Sequence, residues 1–268
     1  MEHQRSRTTV LLLQVMVAVV FLLLWHVGTT TWLWADPKKM QFFFSTPIAV
    51  LERTWRQFYS GEIWYHLGIT LTETVLAFAF GAAGGIVCGF LFARNALIAA
   101  VFDPYIKAAN ALPRVVLAPI FALWFGLGIW SKVALGFTLV FFIVFFNVYQ
   151  GVREVSQTVL ANARMLGMNE RQLMRHVYWP AAMTWMFSSL HTSVGFALVG
   201  AVVGEYLGSS AGLGYKIHEA ESVFDVTGVF SGMLILAIFV ILIDAMVTVI
   251  ENRLLVWRPG QETRTVNG

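Results

Sequence analysis

The sequence predicts an all-α polytopic membrane protein with about six transmembrane helices, and three observations lead there. Of 268 residues, 58% are hydrophobic and only 12% are charged, about half the charge of a soluble domain. Several apolar runs exceed the ~18–20 residues that a helix needs to cross a bilayer. Those runs are continuous, which excludes the short alternating segments of a transmembrane β-barrel.

The elements follow in order. The first span is expected over 9–32, with Arg5 and Arg7 before it and Trp25, Trp32 and Trp34 forming an aromatic belt at its far end. Its apolar stretch is too long for a signal peptide and lacks a small-residue cleavage site. A polar, proline-punctuated segment covers 36–62. Its portion from Pro47 to Tyr59 carries Ile48, Val50, Leu51, Trp55 and Phe58 and predicts an amphipathic helix lying along the membrane surface. The second span is expected over 68–92. The third, over 102–125, is interrupted by Pro113 and Pro119, and a tight Gly126-Leu127-Gly128 turn leads to Lys132. The fourth is expected over 133–149, the fifth over 181–203 and the sixth over 226–250, with a glycine-rich loop, 204–225, between the last two. By this reading residues 1–67 hold the first span and the outer amphipathic segment, 68–258 the core with a polar loop at 151–180, and 259–268 a tail.

Lysine and arginine set the orientation. With the N-terminus cytosolic, eleven fall inside (Arg5, Arg7, Arg94, Lys107, Arg153, Arg164, Arg171, Arg175, Arg253, Arg258, Arg264) and six outside (Lys38, Lys39, Arg53, Arg56, Lys132, Lys216). Arg114 is left within a span. The bias places both termini in the cytosol. The net charge of +3 is explained by this flanking pattern, and no nucleic-acid partner is expected. The lone Cys88 excludes an intramolecular disulfide, and no His, Cys and carboxylate cluster has metal-ligand spacing. No cofactor is expected.

The informative interruption is 151–180. Val155, Val159, Leu160, Ala163 and Leu166 share a helical stripe. Gly167 suits a left-handed cap, Asn169 with Gln172 reads as a capping box, and Pro180 suits the first turn of the next span. The prediction is helix, turn, short helix, then membrane, with Arg153, Glu154, Arg164, Glu170, Arg171 and Arg175 exposed. A membrane protein that keeps an ordered polar segment in water offers it to a soluble partner.

This stretch resembles the cytoplasmic loop of ABC-type importer permeases, which pairs Glu-Ala-Ala, three residues, Gly, nine residues, then Ile-x-Leu-Pro. Ala163, Gly167, Val177 and Pro180 stand in register. Ala161 stands where the family has Glu, Asn162 where it has Ala, and Trp179 where it has Leu. Leu112 to Pro119, Leu123 to Gly128, Ser131-Lys132, Glu205, Gly212-Leu213-Gly214-Tyr215, Phe224-Asp225, Val229-Phe230 and Glu251 with Trp257-Arg258 are similar to the nitrate, sulfonate and taurine subfamily. The resemblance implies a type I ABC importer permease fold and a multi-pass protein of a bacterial inner membrane. It also implies a second permease copy, two cytosolic ATP-binding subunits and an external solute-binding protein. It assigns ATPase docking to Ala161, Asn162, Ala163, Arg164, Leu166, Gly167, Met168 and Arg171. The solute expected is a small anion: a sulfonate, taurine, nitrate or carboxylate. The chain has no G-x-x-x-x-G-K-[ST] of its own, so ATP is expected on a partner and the subunit is expected to be non-catalytic.

Arg114, Trp124, Ser193 and Glu205 are the candidates for the translocation path or gate. Arg114, a charge within a span, calls for a partner or water; it either draws an anionic solute or pairs with Glu73 or Asp244. Glu205 is expected to bond the amides of the following loop. Asp244 and Glu73 also admit an ion-coupled secondary transporter. A third class, an intramembrane enzyme built on His191, is disfavoured because Ser193 lies two residues away and points elsewhere. Two small-residue stripes, Gly81, Gly85, Gly89 and Ser189, Ser193, Ala197, Ala201, suit internal packing, a homodimer seam or a pore lining.

Overall fold

In a computed structural model, residues 7–31 and 36–254 are described, and the described chain is helical throughout. The elements are α1 (Arg7–Thr30), α2 (Pro37–Phe44), α3 (Pro47–Ser60), α4 (Glu62–Arg94), α5 (Ala96–Ala111), α6 (Ala118–Phe125), α7 (Ile129–Arg153), α8 (Gln157–Met165), α9 (Glu170–Leu173), α10 (Trp179–Gly208), α11 (Leu213–Ser222) and α12 (Val226–Leu254). Five helices are long and apolar enough to cross a membrane, and a sixth crossing exists if the bent pair α5–α6 counts as one. Arg5, Trp32, Trp34, Trp257, Arg258, Arg264 and the tail at 259–268 lie outside the described residues.

The chain divides into two compact units. In the first, residues up to Tyr65 pack with 216–236. The side chains of α1 from Val10 to Leu24 are largely exposed, an apolar surface suited to lipid or to another protein chain. The indole of Trp25 donates to the Phe44 carbonyl at 3.1 Å. Thr46 caps α3 by accepting from the Ala49 amide, and Pro47 occupies its first turn. The buried side of α3 is Pro47, Val50 and Thr54. Thr54 bonds Ser231 at 2.8 Å, and Arg53 pairs with Asp225 at 3.2 Å. Ile48, Leu51 and Trp55 are exposed.

The second unit, 66–215 with the chain from Ala237, holds the principal core. Ala77, Ala82, Val140, Val144, Val148, Met186 and Ala197 are buried together, flanked by Phe78, Ile86, Phe90, Met183, Phe187 and Leu190. A Cβ added at Gly81, Gly85 or Gly89 would meet Val140, Val144 or Val148 at 2.6, 2.8 and 2.8 Å. Glycines every four residues on α4 thus receive valines every four residues on α7, rows of side chains fitting facing grooves. Ser189, Ser193, Ala197 and Ala201 are also buried. Both small-residue stripes therefore serve packing within the chain.

Three expectations about the elements are corrected. The third span, expected over 102–125 with a break at its prolines, starts earlier and turns more sharply: the helix starts at Ala96, stops at Ala111, and resumes as a 3-10 turn and α6 at 90° to its first half. Pro113 lacks an amide donor and forces Leu112 into an extended backbone (φ −65°, ψ 132°). The expected loop at 204–225 is mostly helix, because α10 runs on to Gly208 and α11 begins at Leu213. The short second helix after Gly167 is not separate from the fifth span. It continues through a π turn, Met174–Tyr178, into α10. Pro180, just beyond, cannot donate to the carbonyl four residues back, and a widened turn accommodates that loss.

Candidate functional site

The segment after α7 forms a compact elbow. Ser156 caps α8 by accepting from the Val159 amide at 3.2 Å. At the other end Gly167 adopts φ +81°, and the Met168 amide reaches back to the Ala163 carbonyl at 3.1 Å, a left-handed cap that closes the helix. Asn169 and Gln172 then exchange both bonds of a capping box, at 2.8 and 2.9 Å. Leu160, Ala163 and Leu173 are buried against one another, with Val155, Met168, Val177 and Tyr178 around them. The elbow thus has its own small apolar core.

Two arginines tie it down. Arg94, at the end of α4, pairs with Glu170 and lies over the Tyr178 ring at 5.1 Å. Arg164 approaches the other oxygen of Glu170 at 3.9 Å. The outward face is unlike an ordinary solvated helix: Met165 is 85% and Leu166 80% exposed, side by side, with Ala161, Asn162, Arg164, Arg171 and Arg175 exposed around them.

Of the residues assigned to docking, Ala161, Asn162, Arg164, Leu166, Gly167 and Arg171 are exposed and Met168 is half-buried. Ala163 is corrected: it is buried inside the elbow, so its small size permits the packing of α8 and offers no contact surface. Met165 was missed, because a single methionine in a polar stretch reads as unremarkable until its neighbours are placed. Arg94 and Glu170 were missed as partners because 76 residues separate them.

A second constellation lies where α4, α7 and α10 meet the Gly212-Leu213-Gly214 turn. Glu205, 1% exposed, accepts from the Gly214 amide at 2.7 Å and from the Thr70 hydroxyl at 2.6 Å. Thr70 in turn accepts from the Leu213 amide, and His66 Nδ1 from the Gly212 amide, both at 3.0 Å. Three consecutive amides are therefore held by three buried side chains. Gly212 has φ +113°, and a Cβ there would stand 2.1 Å from the Glu205 carboxyl carbon; only glycine fits. Glu73 is also buried, with its Oε2 left without a hydrogen-bond partner. Lys132 is buried too, and its Nζ donates to the carbonyls of Leu127 and Gly128. The expected bond from Glu205 to loop amides is present.

The path candidates separate. Trp124 is exposed. Ser193 and Glu205 are fully buried in this chain, and Ser193 donates to the Ser189 carbonyl at 2.6 Å, so neither lines an open surface in this conformation. Lys132, counted among outer surface charges, is buried. Arg114 pairs with neither Glu73 nor Asp244. Its guanidinium donates to the backbone and side-chain oxygens of Asn110, at 2.8 and 2.6 Å, capping the last turn of α5, and lies over Phe142 at 5.2 Å. Asp244 approaches His191 at 3.8 Å; Glu73 and Asp244, grouped by the relay reading, have different partners.

Comparisons with known proteins agree with this geometry. Residues 81–256 match the family model described as binding-protein-dependent transport system inner membrane component. The chain is 33% identical over 217 residues to the aliphatic sulfonates transport permease protein SsuC of Bacillus subtilis, covering 81% of this chain and 79% of that one. It is 33% identical over 220 residues to the formylaminopyrimidine transport permease protein ThiX of Halalkalibacterium halodurans, covering 82% and 88%. With the taurine permease protein TauC of Escherichia coli it shares 26% over 220 residues, 80% of each chain. Among solved structures, an inward-facing form of the MetNI methionine ABC transporter superposes with a TM-score of 0.62 at 18% identity, covering 72% of this chain and 97% of that one; at that identity the likeness shows the fold. The chain belongs to the family of binding-protein-dependent inner-membrane transport components, the multi-pass permease subunits of ABC importers.

Proposed function

We propose that the elbow at 157–173 is the handle by which a cytosolic ATP-binding subunit moves this permease. The observation that carries the reading is the adjacent pair Met165 and Leu166, apolar and almost fully exposed, with Arg164, Arg171 and Arg175 exposed on the same elbow. Such a knob is unfavourable in water and favourable in a groove. The π-turn junction makes the handle continuous with α10, so a displacement of the elbow becomes a displacement of the span. ATP binding and hydrolysis bias two states of the complex through the differential affinity of nucleotide for each. In this account two copies of the chain form the route, each gripped by one ATP-binding subunit, while an external binding protein delivers the solute and both termini face the cytosol. The solute is a small anion such as a sulfonate, taurine, nitrate or carboxylate, in keeping with the sulfonate and taurine relatives. A nitrogen-bearing solute is the second reading, favoured by the exposed carboxylate of Asp244.

Co-purification tests the handle. The chain is expressed together with its ATP-binding subunit, and Met165→Glu is combined with Leu166→Glu. Each large apolar side chain buried contributes about 1.5–3 kcal/mol. The double variant is expected to retain the wild-type melting temperature and to lose the ATP-binding subunit by about 100-fold or more in affinity. Unchanged co-purification would overturn the assignment.

A further inference from the structure

One charged patch remains outside the elbow and the buried cluster. Asp244 stands on α12 with its side chain 70% exposed and its carboxylate 3.8 Å from His191 Nε2 on α10. Its neighbours along the helix, Ile241, Leu242 and Met246, are exposed and apolar. Both residues sit deep. His191 follows the start of α10 at Trp179 by twelve residues, roughly 18 Å at 1.5 Å per residue. Asp244 precedes the end of α12 at Leu254 by ten, roughly 15 Å. In a hydrocarbon core of about 30 Å both lie close to the middle.

A carboxylate at that depth does not face lipid without a large cost. The adjoining face of α10 is polar as well: Ser188, Thr192 and Gly195 are exposed in a row at helical spacing, and a Cβ added at Gly195 would meet nothing within 4 Å. The small-residue stripes that suit a tight helix seam are already consumed inside the chain. What stays uncovered carries hydroxyls and a carboxylate among exposed apolar side chains, Trp185, Phe196 and Val199 on α10 and Ile241, Leu242 and Met246 on α12, and the carboxylate in its midst calls for water.

We propose that the face formed by Ser188, His191, Thr192, Gly195 and Asp244 lines a water-filled part of the solute route, and that Asp244 makes this route favour solutes presenting an N–H or ammonium donor over simple anions. This rests on the permease reading and narrows its solute class: among the anions proposed above, it favours a zwitterion such as taurine, which carries an ammonium donor, over nitrate or a simple sulfonate or carboxylate. The carboxylate accepts from the donor, and the Thr192 hydroxyl and His191 ring supply further hydrogen bonds on the same side. Cation preference from a ring or pair of acidic groups in a narrow wet passage follows from the field alone.

Thiol labelling tests the proposal in native membranes, with the full chain and its partner subunits. In a Cys88→Ser background, Thr192→Cys is reacted with a cationic trimethylammonium-ethyl methanethiosulfonate and an anionic sulfonatoethyl methanethiosulfonate, with and without ATP, from both sides of the membrane. Rates are divided by those with a free thiol in solution. The cationic reagent is expected to be favoured about tenfold, as one charge acting across a few ångströms of water implies, and Asp244→Asn is expected to remove the preference. Ser188→Cys serves as the second position if Thr192→Cys fails to reach the membrane. Absence of labelling under every condition would show lipid or packed protein over this face and overturn the proposal. Labelling whose charge preference is absent, or survives Asp244→Asn, would overturn the substrate class. The labelling does not require the elbow to grip anything, so repeating it with Met165→Glu and Leu166→Glu separates failure of this proposal from failure of the handle.

Discussion

Gly200→Ala is expected to destabilise the permease by about 3 kcal/mol, and Gly200→Leu to prevent its recovery as a monodisperse species from detergent. A Cβ at Gly200 would stand 2.4 Å from the Gly136 Cα and 2.8 Å from its amide nitrogen. Those are backbone atoms of α7, so no side-chain rotation relieves the clash, and the two helices must separate. Overpacking of a close-packed interior commonly costs about 1–3 kcal/mol, and a rigid backbone partner puts this site at the upper end. Separation would also loosen Gly136 from Ala77, where an added Cβ would already come within 2.7 Å. The control is Gly195→Ala on the same helix, with open space around it, which is expected to leave the melting temperature unchanged. Equal effects at the two positions would contradict the close crossing of α7 and α10.

Glu205→Ala is expected to release the turn before α11. The substitution removes the acceptor for the Gly214 amide and for the Thr70 hydroxyl. Each buried donor left without its partner costs about 1–3 kcal/mol. Hydrogen exchange reads the consequence where it arises: amides of Gly212, Leu213 and Gly214 are expected to lose protection by 100-fold or more, while amides of α8 in the elbow keep theirs. Glu205→Gln keeps one acceptor oxygen and is expected to retain part of the protection. Unaltered exchange at 212–214 in the alanine variant would mean that the three amides are held by something other than these side chains.

The elbow was legible because its signals are local. Gly167 and the Asn169–Gln172 box lie within a few residues of the bonds they make, and both sit at the predicted ends of helices. The bend at Leu112–Pro113 was legible as a break, whereas its 90° angle depends on what α5 and α6 pack against. The π turn has no sequence mark apart from Pro180, since it depends on helix continuity across 174–179. The buried cluster draws Glu73, Lys132 and Glu205 from three different helices, and no spacing rule relates them. Ser193 shows why single residues of a span are misassigned. On a helix with apolar residues all round, the choice between Ser193 and the adjacent Thr192 as the outward residue turns on about 100° of rotation, and only the packed neighbours fix it: Ser193 is buried and Thr192 exposed. Arg114 was read as drawing an anionic solute or pairing with Glu73 or Asp244 because its partner, Asn110, becomes available only where the helix stops.

The claim on which the account rests is that the exposed knob of α8 is held by an ATP-binding subunit in the cytosol. Leu166→Cys in a Cys88→Ser background tests it most directly, using a short thiol-to-amine cross-linker in inverted membrane vesicles of the assembled transporter. The account predicts an adduct with the ATP-binding subunit whose yield changes with nucleotide. Labelling of the same cysteine by an impermeant thiol reagent added outside intact cells, or an adduct with no other subunit in any nucleotide state, would contradict it.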